Sequence, residues 1–145
     1  MAKHTQHQTG PRLSPSDQTD AASLQLDAAA AMLSQWGNVI EYDAMPDMDA
    51  NAMLCTLIND FLSDARNALQ QDQTDRKAPV WHHECDRISG IMASLHTFKM
   101  GYSGRCDLPS TAIQRAAIHG LYTSLDAIKG RIDSPLTGAS VEVTA

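Results

Sequence analysis

Apolar residues recur along this chain at intervals of three and four positions in four separate stretches, the period of an amphipathic α-helix. The helices that this period predicts lie over residues 18–36, 49–71, 80–99 and 110–132. No stretch shows the strict alternation of polar and apolar residues that is typical of a half-buried strand. The sequence therefore predicts an all-α fold, a compact four-helix bundle.

The apolar stripes of the four predicted helices indicate which residues form the core. In the first helix they are Ala22, Leu26, Ala29, Leu33 and Trp36. In the second they are Met53, Leu54, Leu57, Ile58, Phe61, Leu62, Ala65 and Leu69. The third carries Trp81, Cys85, Ile88, Met92, Leu95 and Phe98, and the fourth Ile118, Leu121, Leu125, Ile128 and Ile132. Gly90 and Gly120 fall inside predicted helices, where Gly costs about 1 kcal/mol relative to Ala, so we expect close helix–helix approach at both.

Capping residues set the expected ends of the helices. Asp17 or Asp20 is expected to cap the first helix, which Gly37-Asn38 then ends. Thr111 and Gln114 have the spacing of a capping box for the fourth. Outside the helices, residues 1–16 contain few apolar side chains and predict a flexible, disordered tail. Residues 134–145 follow the fourth helix with a proline at 135 and predict a second tail, which leaves one bundle domain over 17–133.

Charge adds to this picture because it is unevenly distributed. The formal net charge is −6, yet residues 1–75 carry three basic against eleven acidic residues, whereas residues 76–145 carry eight against six. No Lys or Arg occurs between Arg12 and Arg66. The acidic balance argues against direct nucleic-acid binding, which depends on clustered basic residues, and favours a partner protein with a basic surface. The carboxylates expected to form this docking surface are Asp43, Asp47, Asp49, Asp60 and Asp64.

The densest group of reactive side chains runs from His82 to Arg87, at the start of the third helix. On a helix, His82 lies one turn from Asp86, while His82 and His83 point about 100° apart and are not expected to share a metal ion. Cys85 falls on the apolar side, so we expect it to be buried. No zinc or calcium-loop spacing occurs, and the sequence predicts no metal site.

The stretch from His83 to Met92 resembles the His-box of histidine-kinase dimerisation and phosphotransfer domains, which are also helical bundles. It lacks the proline that many such boxes contain. The resemblance implies that His83 is a phospho-acceptor, with a neighbouring carboxylate that holds the imidazole tautomer. A phosphotransfer-type signalling domain is therefore an alternative hypothesis.

Catalytic motifs are missing from the sequence. G-x-S-x-G, H-E-x-x-H and a Gly-rich phosphate loop do not occur, so we expect neither an enzyme nor a cofactor. On the polar side of the fourth helix we expect a surface hydrogen-bond ladder, formed by Arg115, His119, Tyr122 and Asp126.

The sequence also bears on location. No apolar run approaches the roughly 20 residues of a membrane span, and residues 1–18 lack the apolar segment of a signal peptide. Three widely spaced cysteines suit a reducing compartment. We therefore expect a cytoplasmic protein that does not bind membranes.

These observations favour a small acidic adaptor, regulator or inhibitor that binds another protein through its acidic surface. A further alternative is an acidic DNA mimic that inhibits a nucleic-acid-binding complex, because Asp outnumbers Glu by 14 to 3 and shorter side chains hold their charges in more fixed positions. A homodimer is also expected, since the first and third helices each carry a Trp at one end.

Overall fold

Four α-helices account for nearly all of the chain that the structure describes. The computed structural model describes residues 16–42 and 47–134. The helices are α1 (Asp17–Tyr42), α2 (Met48–Arg76), α3 (His82–Tyr102) and α4 (Thr111–Asp133). They form a ring in which α1 packs against α2 and α4, and α3 packs against α2 and α4. The contact between α3 and α4 is the smallest of the four. The prediction of an all-α four-helix bundle is confirmed. Apart from Ser16 and Ser134, the predicted tails lie outside the described residues.

Neighbouring helices in the ring run antiparallel. A hydrogen bond from Ser16 to Asp72 joins the start of α1 to the end of α2. Another, from Arg66 to Ser89, joins α2 to α3, and Ser23 near the start of α1 bonds to Asp133 at the end of α4. The bundle therefore has an up-down-up-down topology with short connections.

Each helix contributes one stripe of buried side chains to a single core. Residues with no exposed surface include Leu26, Leu33 and Trp36 of α1, Ile58, Leu62 and Leu69 of α2, Ile88 and Leu95 of α3, and Leu125 and Ile128 of α4. At one end of this core the Trp36 ring meets Phe98 edge-on, with 5.3 Å between ring centroids, and Tyr102 at 5.9 Å. The aromatic cluster fixes α1 against α3 across the bundle.

The prediction that Gly37-Asn38 ends the first helix is wrong, because α1 runs through this pair to Tyr42. Ile40, one turn beyond Trp36, is only 3% exposed. Burying an Ile side chain contributes about 1.5–3 kcal/mol, whereas Gly within a helix costs about 1 kcal/mol. The apolar contact therefore outweighs the poor helix propensity of Gly37.

Before the connection to α3, α2 extends from its predicted end at residue 71 to Arg76. Lys77 follows in the left-handed conformation, with φ 56°. Its N–H donates to the Thr74 carbonyl at 3.1 Å, and the Ala78 N–H donates to the Gln73 carbonyl at 3.1 Å. These two bonds satisfy the last carbonyl groups of the helix in the manner of a Schellman motif.

Serine side chains cap α1 and α4 in place of the predicted residues. The Thr19 N–H donates to Ser16 Oγ at 3.1 Å, so the cap of α1 is Ser16 and not Asp17 or Asp20. In α4, Ser110 Oγ accepts a backbone N–H of the first turn at 3.3 Å. Ser16, which the sequence predicts to lie in the tail, thus belongs to the bundle.

Gln114 does not close a capping box with Thr111. It accepts a hydrogen bond from the Tyr102 hydroxyl at 2.7 Å and donates to the Pro109 carbonyl at 2.9 Å. Burial raises the pKa of Tyr102 to about 12, so its hydroxyl remains a donor at neutral pH. The pair ties the end of α3 to the start of α4.

Close helix–helix approach at Gly90 and Gly120 was also a wrong prediction. Both glycines are exposed, and no neighbouring helix or side chain comes within 4 Å of the place where a Cβ would stand. Gly37 does face another helix, since a Cβ there would lie 3.5 Å from Ile118 Cγ2 of α4.

A buried carboxylate joins the helices at the end of the bundle where α2 meets α3. Asp72 is 1% exposed and accepts hydrogen bonds from Ser16 Oγ, Arg76 Nε and the Trp81 indole Nε1, each at 2.7 Å. Burial alone would raise the pKa of Asp72, but the three hydrogen bonds and the charge of Arg76 outweigh it, and the pKa lies below its ordinary value. The Arg131 guanidinium of α4 lies 5.3 Å from the Trp81 ring centroid, which connects the fourth helix to the same network.

Candidate functional site

The outer side of α2 presents a row of exposed acidic and apolar side chains. Asp49, Met53, Leu57, Asp60 and Asp64 follow at steps of four, four, three and four residues, so they share one side of the helix. All five are exposed, Met53 to 65% and Leu57 to 40%. We refer to these five residues as the α2 face.

The exposure of Met53 and Leu57 contradicts their predicted place in the core stripe. The buried side of α2 is centred on Ile58 and Leu62, which point away from the α2 face. Apolar residues are spread around more than half of this helix, so the predicted stripe was too wide. The three- and four-residue spacing that Met53 and Leu57 share with Asp60 was the signal in the sequence that they lie on the polar side.

Within the part of the chain that the structure describes, no cation neutralises the α2 face. Asp49, Asp60 and Asp64 form no ion pair there, and α1, which packs alongside, contains no Lys or Arg. Arg66, the first basic residue of α2, turns towards α3, where its Nη1 donates to Ser89 Oγ at 2.9 Å. The field of the three carboxylates therefore reaches solvent without a counter-charge.

Of the other two predicted docking carboxylates, one has a different role and one is not described. Asp47 is exposed but caps α2 by accepting the Ala50 N–H at 3.0 Å, so its carboxylate stabilises the start of the helix. Asp43 lies outside the described residues. The structure thus brings together Asp49, Asp60 and Asp64 of the predicted set, and adds two apolar residues that sequence reasoning missed.

The histidines at the start of α3 are separated as their helical spacing predicts. His82 and Asp86, both exposed, form a pair with 3.5 Å between Nε2 and Oδ2. His83 is exposed and has no side-chain hydrogen bond or ion pair with any described residue. Cys85 is buried, as predicted, and burial together with the charge of Glu84 raises the pKa of its thiol.

The tryptophans that motivated the dimer prediction both lie in the core. Trp36 and Trp81 have no exposed surface, so neither can contact a second copy. The large apolar residues that are exposed are Leu24, Met48, Met53, Leu57, Ile113 and Tyr122. Self-association stays a prediction, and an apolar contact formed by the described residues would draw on this set.

Sequence reasoning also missed an open cleft of about 530 Å³ between α1 and α4. From α1 it is lined by Leu33, Ser34, Gly37 and Asn38, and from α4 by Arg115, Ile118, His119 and Tyr122. The predicted hydrogen-bond ladder along α4 is wrong, because the side chains of Arg115, His119, Tyr122 and Asp126 bond to no other described residue. The cleft depends on how two helices pack, and no pattern within one helix contains that information.

Neither a metal centre nor a membrane span is found in the described ranges, 16–42 and 47–134. No helix there is long and apolar enough to cross a bilayer. The same residues hold no group of three or more His, Cys, Asp or Glu side chains that could bind a metal ion. Comparisons with protein-family models, with curated proteins and with solved structures find no match for this chain. The α2 face and the α1–α4 cleft are the candidate sites that we consider among the described residues.

Proposed function

We propose that this protein is a non-enzymatic adaptor or regulator that docks a basic, amphipathic segment of a partner protein onto the α2 face. One observation carries the proposal: the α2 face combines three carboxylates that pair with no described cation with the exposed side chains of Met53 and Leu57. Opposite charge on a partner speeds association, and buried apolar side chains supply the centre of an interface. A cytoplasmic location is part of the proposal, supported by three free thiols, Cys55, Cys85 and Cys106.

The dimensions of the α2 face suit a helical partner segment. Asp49 and Asp64 are separated by about 22 Å along the helix axis, the length of about four turns. Met53 and Leu57 lie one turn apart, the spacing at which amphipathic helices present their anchors. Burying the remaining exposed surface would contribute about 1–2 kcal/mol for Met53 and about 1 kcal/mol for Leu57, whereas an exposed ion pair contributes up to about 1 kcal/mol. The apolar pair would therefore set affinity, and the carboxylates specificity and salt dependence.

The two alternative functions have less support. Met53 and Leu57 interrupt the row of carboxylates at its centre, where a DNA mimic would have to present charge to a DNA-binding protein. Phosphotransfer through His83 would need a carboxylate to hold the imidazole, but Asp86 pairs with His82 instead.

A photo-crosslinking experiment tests the docking proposal. A photoreactive amino acid at Leu57 would capture proteins from an extract of the native host, and one at Ala127, exposed on α4, serves as the matched control. A protein captured from Leu57 alone is then purified and its affinity measured at several salt concentrations. The triple variant D49N/D60N/D64N should bind about tenfold more weakly. Its affinity should also depend less on salt, because fewer charge pairs are screened.

Two further variants separate the α2 face from the overall charge. The control D20N/D107N/D126N removes the same charge from exposed positions elsewhere and should retain most of the affinity. The variant L57Q should weaken binding at low and high salt alike, since it removes an apolar contact. Equal losses in the two triple variants, or wild-type affinity in L57Q, would refute docking on the α2 face. Capture of a second copy of this chain, with a dimer mass by light scattering, would refute a foreign basic segment.

A further inference from the structure

The cleft between α1 and α4 combines an apolar floor with a polar and aromatic rim. Leu33 and Ile118 are buried and form the floor. Arg115, His119 and Tyr122 line the α4 side at steps of four and three residues, so the guanidinium, the imidazole and the phenol ring stand in one row. The volume of about 530 Å³ lies within the range of small-molecule sites, and such sites pair apolar walls with a few polar groups.

A glycine in the wall keeps the cleft open. Gly37 lies inside α1, five residues before its end at Tyr42, where any other residue except Pro would favour the helix more. A Cβ at this position would lie 3.5 Å from Ile118 Cγ2, which is ordinary contact, so the helices do not require a glycine for their approach. A longer side chain at Gly37 would extend into the space between the floor and the row on α4.

The charge of Arg115 is not neutralised by any described residue. Its guanidinium forms no ion pair and no side-chain hydrogen bond among them. The next carboxylate on the same side of α4 is Asp126, about 16 Å further along the helix axis. On α1, Asp27 already pairs with Lys129, and the polar residues that α1 contributes to the cleft are uncharged. Among the side chains that the structure describes, a cation therefore stands beside an apolar floor and an aromatic ring without an anion.

We propose that this cleft binds a small carboxylate that carries a flat apolar body, the class to which aromatic carboxylates belong. The guanidinium presents two parallel N–H donors that match the two oxygens of a carboxylate. The apolar body would cover Leu33 and Ile118 beside the Tyr122 ring, where stacking and burial favour it. This site is independent of the α2 face and can be occupied whether or not a protein partner is bound there.

Three matched probes test the two halves of the proposed ligand. Benzoate carries both the charge and the ring, benzamide carries the ring alone, and acetate carries the charge alone. Each is titrated into ¹⁵N-labelled protein while amide chemical shifts are recorded. Benzoate should shift the amides of 33–38 and 115–122 and saturate in the millimolar range or below, as expected for so small a ligand. Benzamide and acetate should each bind at least about tenfold more weakly, because each lacks one of the two contacts.

Three variants locate the binding. R115Q should weaken benzoate binding by at least about tenfold, since a charge-assisted contact is lost. The variant G37L fills the cleft and should abolish binding while Arg115 and the helical circular dichroism remain. R105Q removes an arginine that is also exposed but does not line the cleft, and it should bind benzoate as the wild type does. No saturable shift with benzoate, equal binding in R115Q and wild type, or full binding in G37L would each overturn the proposal.

Discussion

Replacing Asp72 should destabilise the bundle more than any other exchange of a carboxylate on α2. D72A would remove the acceptor of three hydrogen bonds and leave the Trp81 indole N–H, on a ring with no exposed surface, without a partner. Ser16 and Arg76, the other two donors, are partly exposed and can turn to water. The loss therefore falls mainly on Trp81.

The loss of stability expected in D72A follows from the burial of each hydrogen-bond donor. A hydrogen bond to a charged group contributes about 1.5–3 kcal/mol, and a stranded buried donor costs a similar amount. With about 1 kcal/mol for each of the two partly exposed donors, D72A should lower the free energy of unfolding by about 3–5 kcal/mol. For a domain of this size, Tm should fall by about 10–20 °C. D72N keeps one oxygen, which can still accept from Arg76 and Trp81. It loses the charge and the oxygen that accepts from Ser16, so its loss should be about 1–2 kcal/mol.

Urea unfolding followed by far-ultraviolet circular dichroism, at a series of pH values, measures these differences. The matched control is D75N, an exposed carboxylate on the same helix that accepts only the Gln71 amide at 2.9 Å; it should change stability by less than about 0.5 kcal/mol. Because the folded pKa of Asp72 lies below its ordinary value, its charge stabilises the fold above the unfolded pKa of about 3.9. That contribution disappears as the pH falls through the folded pKa.

The gap in stability between wild type and D72N should therefore be constant near neutral pH and narrow below about pH 4. A loss of less than about 1 kcal/mol in D72A would refute the assigned role of the Trp81 hydrogen bond. A gap that stays constant into acid would refute the claim that the network lowers the pKa of Asp72.

Two further predictions concern the glycines and the cysteines. G90A should raise the free energy of unfolding by about 1 kcal/mol, because nothing lies within 4 Å of the added Cβ. G101A should lower the free energy of unfolding by about 1 kcal/mol, because its Cβ would lie 2.5 Å from Leu108 Cδ2. Urea unfolding measures both variants, and stability changes of the same sign would contradict this prediction. Burial raises the pKa of Cys55 to about 12. Iodoacetamide at pH 8 should therefore label exposed Cys106 in the native protein and Cys55 only after unfolding. Mass spectrometry that finds the two cysteines of the native protein labelled at similar rates would contradict this prediction.

Helical period was sufficient to predict the four helices and most of the core, because each helix must bury one stripe. It failed where an interaction joins distant positions. The end of α2 depends on Asp72, whose partner Ser16 is far away in the sequence. The end of α1 depends on the burial of Ile40 against other helices, which a Gly-Asn pair cannot reveal.

The two candidate surfaces differ in how far they were predictable. Three carboxylates of the α2 face were expected from charge distribution alone, because no basic residue precedes Arg66 on α1 or α2. The core prediction for Met53 and Leu57 is wrong, because it rests on their apolar character and not on the helical spacing that they share with Asp60. The α1–α4 cleft could not be predicted, because it arises from the registration of Gly37 with Ile118 across two helices that are distant in the sequence.

The hydrogen bond between Ser23 and Asp133 has a practical consequence for engineering. It holds the start of the first helix next to the end of the last, so the two ends of the bundle domain can be joined by a short linker. New ends opened in the exposed connection between α3 and α4 would give a circular permutant with the same four-helix core. Fusion tags on either end of the domain would also leave from the same pole of the molecule, opposite the pole where Asp49 begins the α2 face.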